Sequence, residues 1–356
     1  MDVLVYSLAP LSKLEGVGNV ALNVAERLPF SCSFYNPGKH RKLLFYSFLS
    51  PLAFALAVRR LKPRVVLAHT TEASFDPIIA KKIFRFNYKV VCVAHGLYPD
   101  LAEEYFKEVR LGNAKKRFSF IANLKISSFR SRFVSGADKI IAVSEMVKRS
   151  LKERYGVDSV VIPNGIDSSE FAGARRTRKS KGNILLFAGN QFWLKGLHYL
   201  IRANALLKKP WEIVAVGMDS SQEEEIKVLV DCKGVVFKGK VSRQNLMKEY
   251  KKANAFAMPS VYESFGMVYL EALAFGLPVL ASKGTGAEDI IENGVNGFLV
   301  EKRNVKSLAS ALEALRKLNL KRFFPDKKFL WANISAKYAE VLVSVGLNKK
   351  KIEAVL

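Results

Sequence analysis

Short apolar runs alternate with amphipathic stretches along the whole chain. In the first half, Asp2–Tyr6, Ser31–Tyr35, Val65–Ala68, Val90–Ala94 and Lys139–Val143 read as strands. In the second half, Asn183–Ala188, Ile213–Val216, Val235–Lys238, Ala253–Met258 and Val279–Ser282 do the same. Most of these runs are apolar without alternation, which suits strands covered on both faces, as in parallel sheets. Helical patterns fall between them at Asn19–Leu28, behind Ser144, at His198–Leu207, at Gln244–Ala253 and at Phe329–Val345. Alternating strands and helices predict an α/β protein with doubly wound sheets. A chain of 356 residues exceeds what one core sustains. A polar, basic segment at 168–182 therefore reads as a linker between domains at 1–167 and 183–328, followed by a helical segment at 329–356.

The stretch from Ala257 to Pro278 carries the densest chemistry. A strand runs into Pro259 and Ser260, and a helix opens near Ser264–Gly266 and closes at Gly276, with Pro278 beyond. Two acids break its apolar run: Glu263 before the helix and Glu271 within it. Eight helical positions span about 12 Å. Between the acids lie the free amides of the helix start, which favour an anion. Acid, anion-binding amides, acid is a layout that suits a nucleoside diphosphate sugar. Spacing alone fits two solvated glutamates on a surface helix equally well.

Ser260 to Pro278 resembles the E-x7-E signature of retaining glycosyltransferases, in particular glycosyltransferase family 4. Pro163-Asn164-Gly165-Ile166-Asp167, Gly284–Ile290 and Asn293–Val300 are similar to further motifs of that family. The resemblance implies a GT-B fold: two Rossmann-like, doubly wound domains facing each other across a cleft, with the last helix crossing back to the first domain. It also implies retaining transfer from a nucleoside diphosphate sugar. Glu263 would hold the sugar, Ser264, Phe265, Gly266, Met267 and Val268 would form the anion-binding turn, and Glu271 would hold the ribose. His95-Gly96 resembles the family pair whose imidazole faces the transferred sugar.

Lys195, at a strand-to-helix turn after Gly189-Asn190, is a natural phosphate ligand. Family members carry Gly-Arg where this chain has Gly189-Asn190, so one cation is missing, and Arg243 is a candidate replacement. That departure keeps a second reading open, a nucleotide-sugar-binding protein impaired in catalysis. Gly16-Val17-Gly18 resembles both a dinucleotide fingerprint and the family's glycine-rich loop. The glycines stand about nine residues beyond the strand, and no acid follows the next strand, which argues against the dinucleotide. Glu15 stands where the family has its first glycine.

Charge adds a different expectation. The chain carries a formal net charge of +25, more of it in residues 1–182 than in 183–356. Such a balance implies acidic partners. Lys39–Lys42, the apolar run Leu43–Val58 and Arg59–Arg64 fit either a core helix with basic ends or helices dipping into a membrane interface. The basic, aromatic stretch from Lys107 to Arg132 fits either a solvated face or contact with anionic lipid. No nucleic-acid-binding fold accompanies the charge, so a nucleic-acid protein is the remote alternative. Cys32, Cys92 and Cys232 are scattered and read as reduced thiols of a cytoplasmic protein. There is no Asp-x-Asp motif, and no metal or other cofactor is expected. A glycan or lipid-phosphate-linked acceptor, with peripheral contact to the cytoplasmic membrane face, completes the expectation.

Overall fold

The structure, a computed structural model, describes residues 1–12, 16–37, 46–171, 182–318, 320 and 326–353. Glu15, the basic run at 39–42 and residues 172–181 of the expected linker lie outside them. The chain divides into two compact units. The first contains Met1–Asp100, Arg117–Gly165 and Lys327–Leu356; the second contains Leu101–Lys116 and Ile166–Asp326.

The first unit is built on β1 (Val3–Ser7), α1 (Gly16–Arg27), β2 (Cys32–Tyr35), α2 (Tyr46–Leu61), β3 (Val65–His69), α3 (Phe75–Phe84) and β4 (Lys89–Ala94). Helix α4 spans Tyr98–Arg110, all but its first three residues belonging to the second unit, and α5 (Phe118–Ser131), β5 (Lys139–Ala142), α6 (Glu145–Tyr155) and β6 (Val160–Val161) of the first unit follow. The strands form one parallel sheet in the order β2-β1-β3-β4-β5-β6. β1, β3 and most of β4 are buried throughout, which explains why their sequences are apolar without alternation. Ser144 caps α6 through its Oγ, which accepts the Val147 amide at 3.2 Å. Gly165 of the Pro-Asn-Gly motif is needed for space rather than for a left-handed turn: a Cβ there would lie 2.7 Å from the Trp331 ring.

The second unit holds β7 (Ile184–Ala188), α7 (Phe192–Lys195), α8 (Leu197–Asn204), β8 (Glu212–Val216), α9 (Ser220–Leu229), β9 (Val235–Phe237) and α10 (Arg243–Lys252). It continues through β10 (Ala255–Ala257), α11 (Met267–Ala274), β11 (Val279–Ser282), β12 (Gly297–Val300) and α12 (Val305–Lys317). Helices α13 (Trp331–Ser344) and α14 (Lys350–Glu353) return to the first unit. The second sheet is also parallel, in the order β12-β11-β10-β7-β8-β9. Its chain starts at β7, builds outward to β9, then returns to build from β10 on the other side. The strand order thus reverses between β7 and β10, the place where open α/β sheets bind ligands at their carboxyl ends.

Two stretches for which the sequence leaves alternatives open take a definite form in the structure. The run Leu43–Val58 contributes to a single helix, α2, with Phe54, Ala55 and Val58 buried and Leu49, Leu52 and Leu56 exposed. The basic stretch from Lys107 to Arg132 is neither one helix nor uniformly solvated. Glu108 is fully buried in the second unit, where it accepts from Asn113 Nδ2 at 2.9 Å and Arg303 Nε at 2.7 Å. In the first unit, Arg130 is buried against Asp76, which also takes the hydroxyls of Tyr6 and Ser50. A buried ion pair rewards packing weakly, but losing one partner strands the other charge. Arg130→Met is therefore expected to cost about 3–5 kcal/mol in urea unfolding. Arg132→Met, on an exposed neighbour, is expected to stay within about 0.5 kcal/mol of wild type. Equal effects would show that the Asp76 cluster contributes nothing special.

Candidate functional site

At the reversal point of the second sheet, three loops meet. The segment after β7 carries Gly189 and Asn190 in its loop and Lys195 at the end of the short helix α7; the loop after β10 runs from Met258 to Gly266; the loop after β11 carries Thr285 and Gly286. They touch main chain to main chain. A Cβ on Gly196 would lie 2.1 Å from the Pro259 carbonyl oxygen, and one on Gly286 would lie 2.1 Å from that of Ser264. No side chain fits at either position, so glycine is a steric requirement there. The Gly286 amide donates to the Glu263 carbonyl at 2.8 Å. The Lys195 ammonium donates to Glu263 Oε2 at 2.9 Å, with both side chains mostly covered.

Helix α11 starts immediately behind this junction. Its first turn leaves the amides of Gly266, Met267 and Val268 without an intrahelical acceptor. Phe265 is buried, and its amide leans towards Glu263 Oε1 at 3.4 Å. Ser264, Met267 and Val268 are half-buried. One turn further, Glu271 is buried with both carboxylate oxygens engaged: Arg243 Nη1 donates to one at 2.6 Å and the Tyr250 hydroxyl to the other at 3.0 Å. Burial raises the Glu271 pKa, and the two donors oppose that rise. Arg243 also donates to Glu170 Oε2 at 2.9 Å. Its polar contacts among the described residues are thus two carboxylates, and Asn190 is exposed. Lys195 and the α11 amides are the positive groups at the junction itself. Among the described residues, no three His, Cys, Asp or Glu side chains come together as a metal-ligand set.

In the first unit, His69 at the end of β3 and His95 after β4 stack with ring centroids 5.3 Å apart, and His69 Nδ1 lies 3.0 Å from His95 Nε2. That separation lets one ring's N–H donate to the other ring's nitrogen. Neighbouring Thr70 has φ +96, a left-handed value that is strained for a β-branched residue. His69 and His95 both stand at carboxyl ends of strands, where such sheets bind ligands, but the sequence assigns a role to His95 alone. The available signal was that His69 closes the adjacent strand, and adjacent strand ends in a parallel sheet are neighbours. Gly16 opens α1 instead of lying in a loop, while a Cβ on Gly18 would collide with the Pro10 carbonyl at 1.9 Å. The tight approach at Gly18 is thus made by the chain's own loop.

Comparison with known proteins bears on the whole arrangement. The family model described as "Glycosyltransferase Family 4" matches residues 24–170, and that described as "Glycosyl transferases group 1" matches 169–323. An uncharacterized glycosyltransferase of Methanocaldococcus jannaschii is 31% identical over 230 residues, covering 57% of this chain and 59% of that protein. A D-inositol 3-phosphate glycosyltransferase of Arthrobacter sp. is 32% identical over 205 residues, covering 52% and 48%. The chain thus spans about half the length of these curated relatives. Among solved structures, the apo lipopolysaccharide outer core galactosyltransferase WaaB superposes with a TM-score of 0.74 at 17% identity, covering 97% of this chain and 99% of that one. The Anabaena HepE protein in complex with UDP-glucose superposes with a TM-score of 0.63 at 18% identity, covering 99% of each. The two Rossmann-like units are therefore those of the GT-B fold. No helix among the described residues is long and apolar enough to cross a membrane.

The histidine pair has a measurable signature. Burial pushes the His95 pKa down to about 4, and burial together with the His95 ring holds His69 well below its ordinary value. Both rings are neutral when folded, whereas an unfolded histidine gains its proton near pH 6.5. Between about pH 4 and 6.5 the unfolded state binds more protons, so stability is lost as pH falls through that window. Lowering the pH from 7 to 5 is expected to cost about 2 kcal/mol through His95 alone. Urea unfolding of His95→Gln at both values should show that increment removed. Equal acid sensitivity of variant and wild type would contradict the burial.

Proposed function

Because the chain belongs to the group 1, family 4 glycosyltransferases, we propose that it moves a sugar from a nucleoside diphosphate sugar to a glycan or lipid-phosphate-linked acceptor, with retention and without a metal. The observation that carries this reading is the junction at the β7–β10 reversal. A carboxylate, an ammonium and three unpaired amides converge there, and a second carboxylate lies eight residues on. The donor diphosphate would sit on the amides of Gly266, Met267 and Val268, with Lys195 turning from Glu263 to the phosphate. Glu263, released, would take sugar hydroxyls, and Glu271 would take the ribose diol, sharing its oxygens with Arg243 and Tyr250. His95, neutral, is carried over from the family resemblance as the second group on the transferred sugar.

In the transfer, the bond between the sugar's anomeric carbon and the diphosphate breaks and the acceptor oxygen bonds to that carbon. The acceptor's hydroxyl proton leaves with the diphosphate. Lys195 and the α11 amides stabilise the negative charge that develops on the leaving group. A UDP-glucose complex of a protein sharing this fold supports the donor class, and the basic first half supports an acidic acceptor.

A second reading has its own observation: Asn190 is exposed and Arg243 is bound to two carboxylates. The phosphate end therefore has one lysine where family members have an arginine as well, which fits a protein that binds donor and turns it over slowly or not at all. A screen of nucleotide sugars by thermal shift and hydrolysis separates the readings. In the enzyme reading, Glu263→Ala lowers turnover about 10²–10³-fold. Glu271→Ala weakens donor binding about 10- to 100-fold. Donor binding without turnover in wild type would establish the binder, and wild-type behaviour of both variants would overturn the site.

A further inference from the structure

The amino-terminal edge of the first sheet, away from the strand ends that carry His69 and His95, holds a cavity of about 610 Å3. Its walls are the end of α2, the starts of β3 and β4, and the turn behind α13. Four of its lining residues are cations, Arg59, Lys62, Arg64 and Lys89, and none is an acid. Lys89 is paired with Asp138 at 2.9 Å, a carboxylate it shares with Lys81 at 3.2 Å. Arg64 donates to the Gly346 carbonyl at 3.1 Å, which leaves its charge uncompensated. Among the described residues, no carboxylate lies within ion-pair distance of Arg59, Lys62 or Arg64. Asp2, whose carbonyl receives the Arg64 amide, turns its carboxylate to Ser31 and Lys351.

Arg59, Lys62 and Arg64 are exposed cations around one concavity, and one of them is held there at a further cost. Lys62 has φ +46, with its amide fixed on the Val58 carbonyl at 2.8 Å. A left-handed conformation costs a non-glycine residue about 1–2 kcal/mol. Glycine would make the same turn without strain, whereas the carbonyl end of α2 favours the cations Arg59 and Lys62 that stand there. Phe86 adds a half-buried aromatic wall beside the cations. The volume is in the range of small-molecule sites.

We propose that this cavity binds a phosphate- or diphosphate-bearing ligand, with the phosphate on Arg59, Lys62 and Arg64 and an apolar portion against Phe86. Strands β3 and β4 separate it from the histidine pair by about 16–20 Å, so it is a site of its own. The inference does not rest on the proposed donor site.

Two sources supply that chemistry, a soluble phosphate compound and the headgroup of an anionic lipid. The test uses the full chain in three forms: wild type, Lys195→Ala (to silence the other phosphate ligand) and the cavity double variant Arg59→Gln/Lys62→Gln made on the Lys195→Ala background. Inorganic pyrophosphate is titrated calorimetrically, and vesicles of phosphatidylcholine with or without phosphatidic acid are used for co-sedimentation. Wild type and Lys195→Ala are expected to bind at least one probe, and the double variant to bind it about tenfold more weakly or less. Pyrophosphate alone identifies a soluble source; phosphatidic acid vesicles alone identify a lipid source. Lys62→Gly guards against misfolding, since it should raise the thermal midpoint by removing strain while still weakening binding. Failure of Lys195→Ala to bind either probe, or binding unchanged in both cavity variants, would overturn the proposal.

Discussion

The second unit depends on how closely three loop backbones approach at the carboxyl ends of β7, β10 and β11. Gly196 against Pro259 and Gly286 against Ser264 leave no room for a side-chain carbon. That contact fixes the main chain of residues 259–266, and through it the position of Glu263 and the direction in which α11 begins. The helix-start amides then point out of the same junction in which Lys195 meets Glu263. Functional geometry here is thus a consequence of backbone packing, and it does not require long polar side chains to find one another unaided.

Around that frame the molecule buries charge in discrete pairs. Glu271 with Arg243 and Tyr250, Glu108 with Arg303 and Asn113, and Asp76 with Arg130 all satisfy carboxylates away from water. The first lies one turn along α11 from the helix-start amides and is open to a functional role. The other two lie within the cores of their own units, where stranding a charge would be expensive. The same residue types therefore serve chemistry or architecture according to what surrounds them. Arg130 makes this concrete. Its sequence neighbourhood is basic and aromatic, yet its side chain belongs to the interior of the first unit.

The sequence was most legible where one backbone rule governed many residues. Parallel strands covered on both faces read as uninterrupted apolar runs, and the Gly276–Pro278 stop sets the end of α11 within a residue or two. The E-x7-E spacing placed Glu263 and Glu271 on either side of the helix start. What could not be read depended on contacts between residues distant in the chain. Nothing local shows that Glu108 is buried among Tyr199 and Arg303, that Gly165 makes room for Trp331, or that His69 lies 3.0 Å from His95. Arg243 was legible as a cation near the site, whereas its engagement with Glu271 and Glu170 followed only from the fold.

The most direct test of the account is a crystal structure of the full chain with a nucleoside diphosphate sugar bound. The account requires the diphosphate within hydrogen-bonding distance of the Gly266, Met267 and Val268 amides, with Lys195 on a phosphate oxygen and the ribose hydroxyls on Glu271. A well-ordered nucleotide bound elsewhere, with the Lys195–Glu263 pair undisturbed, would contradict it.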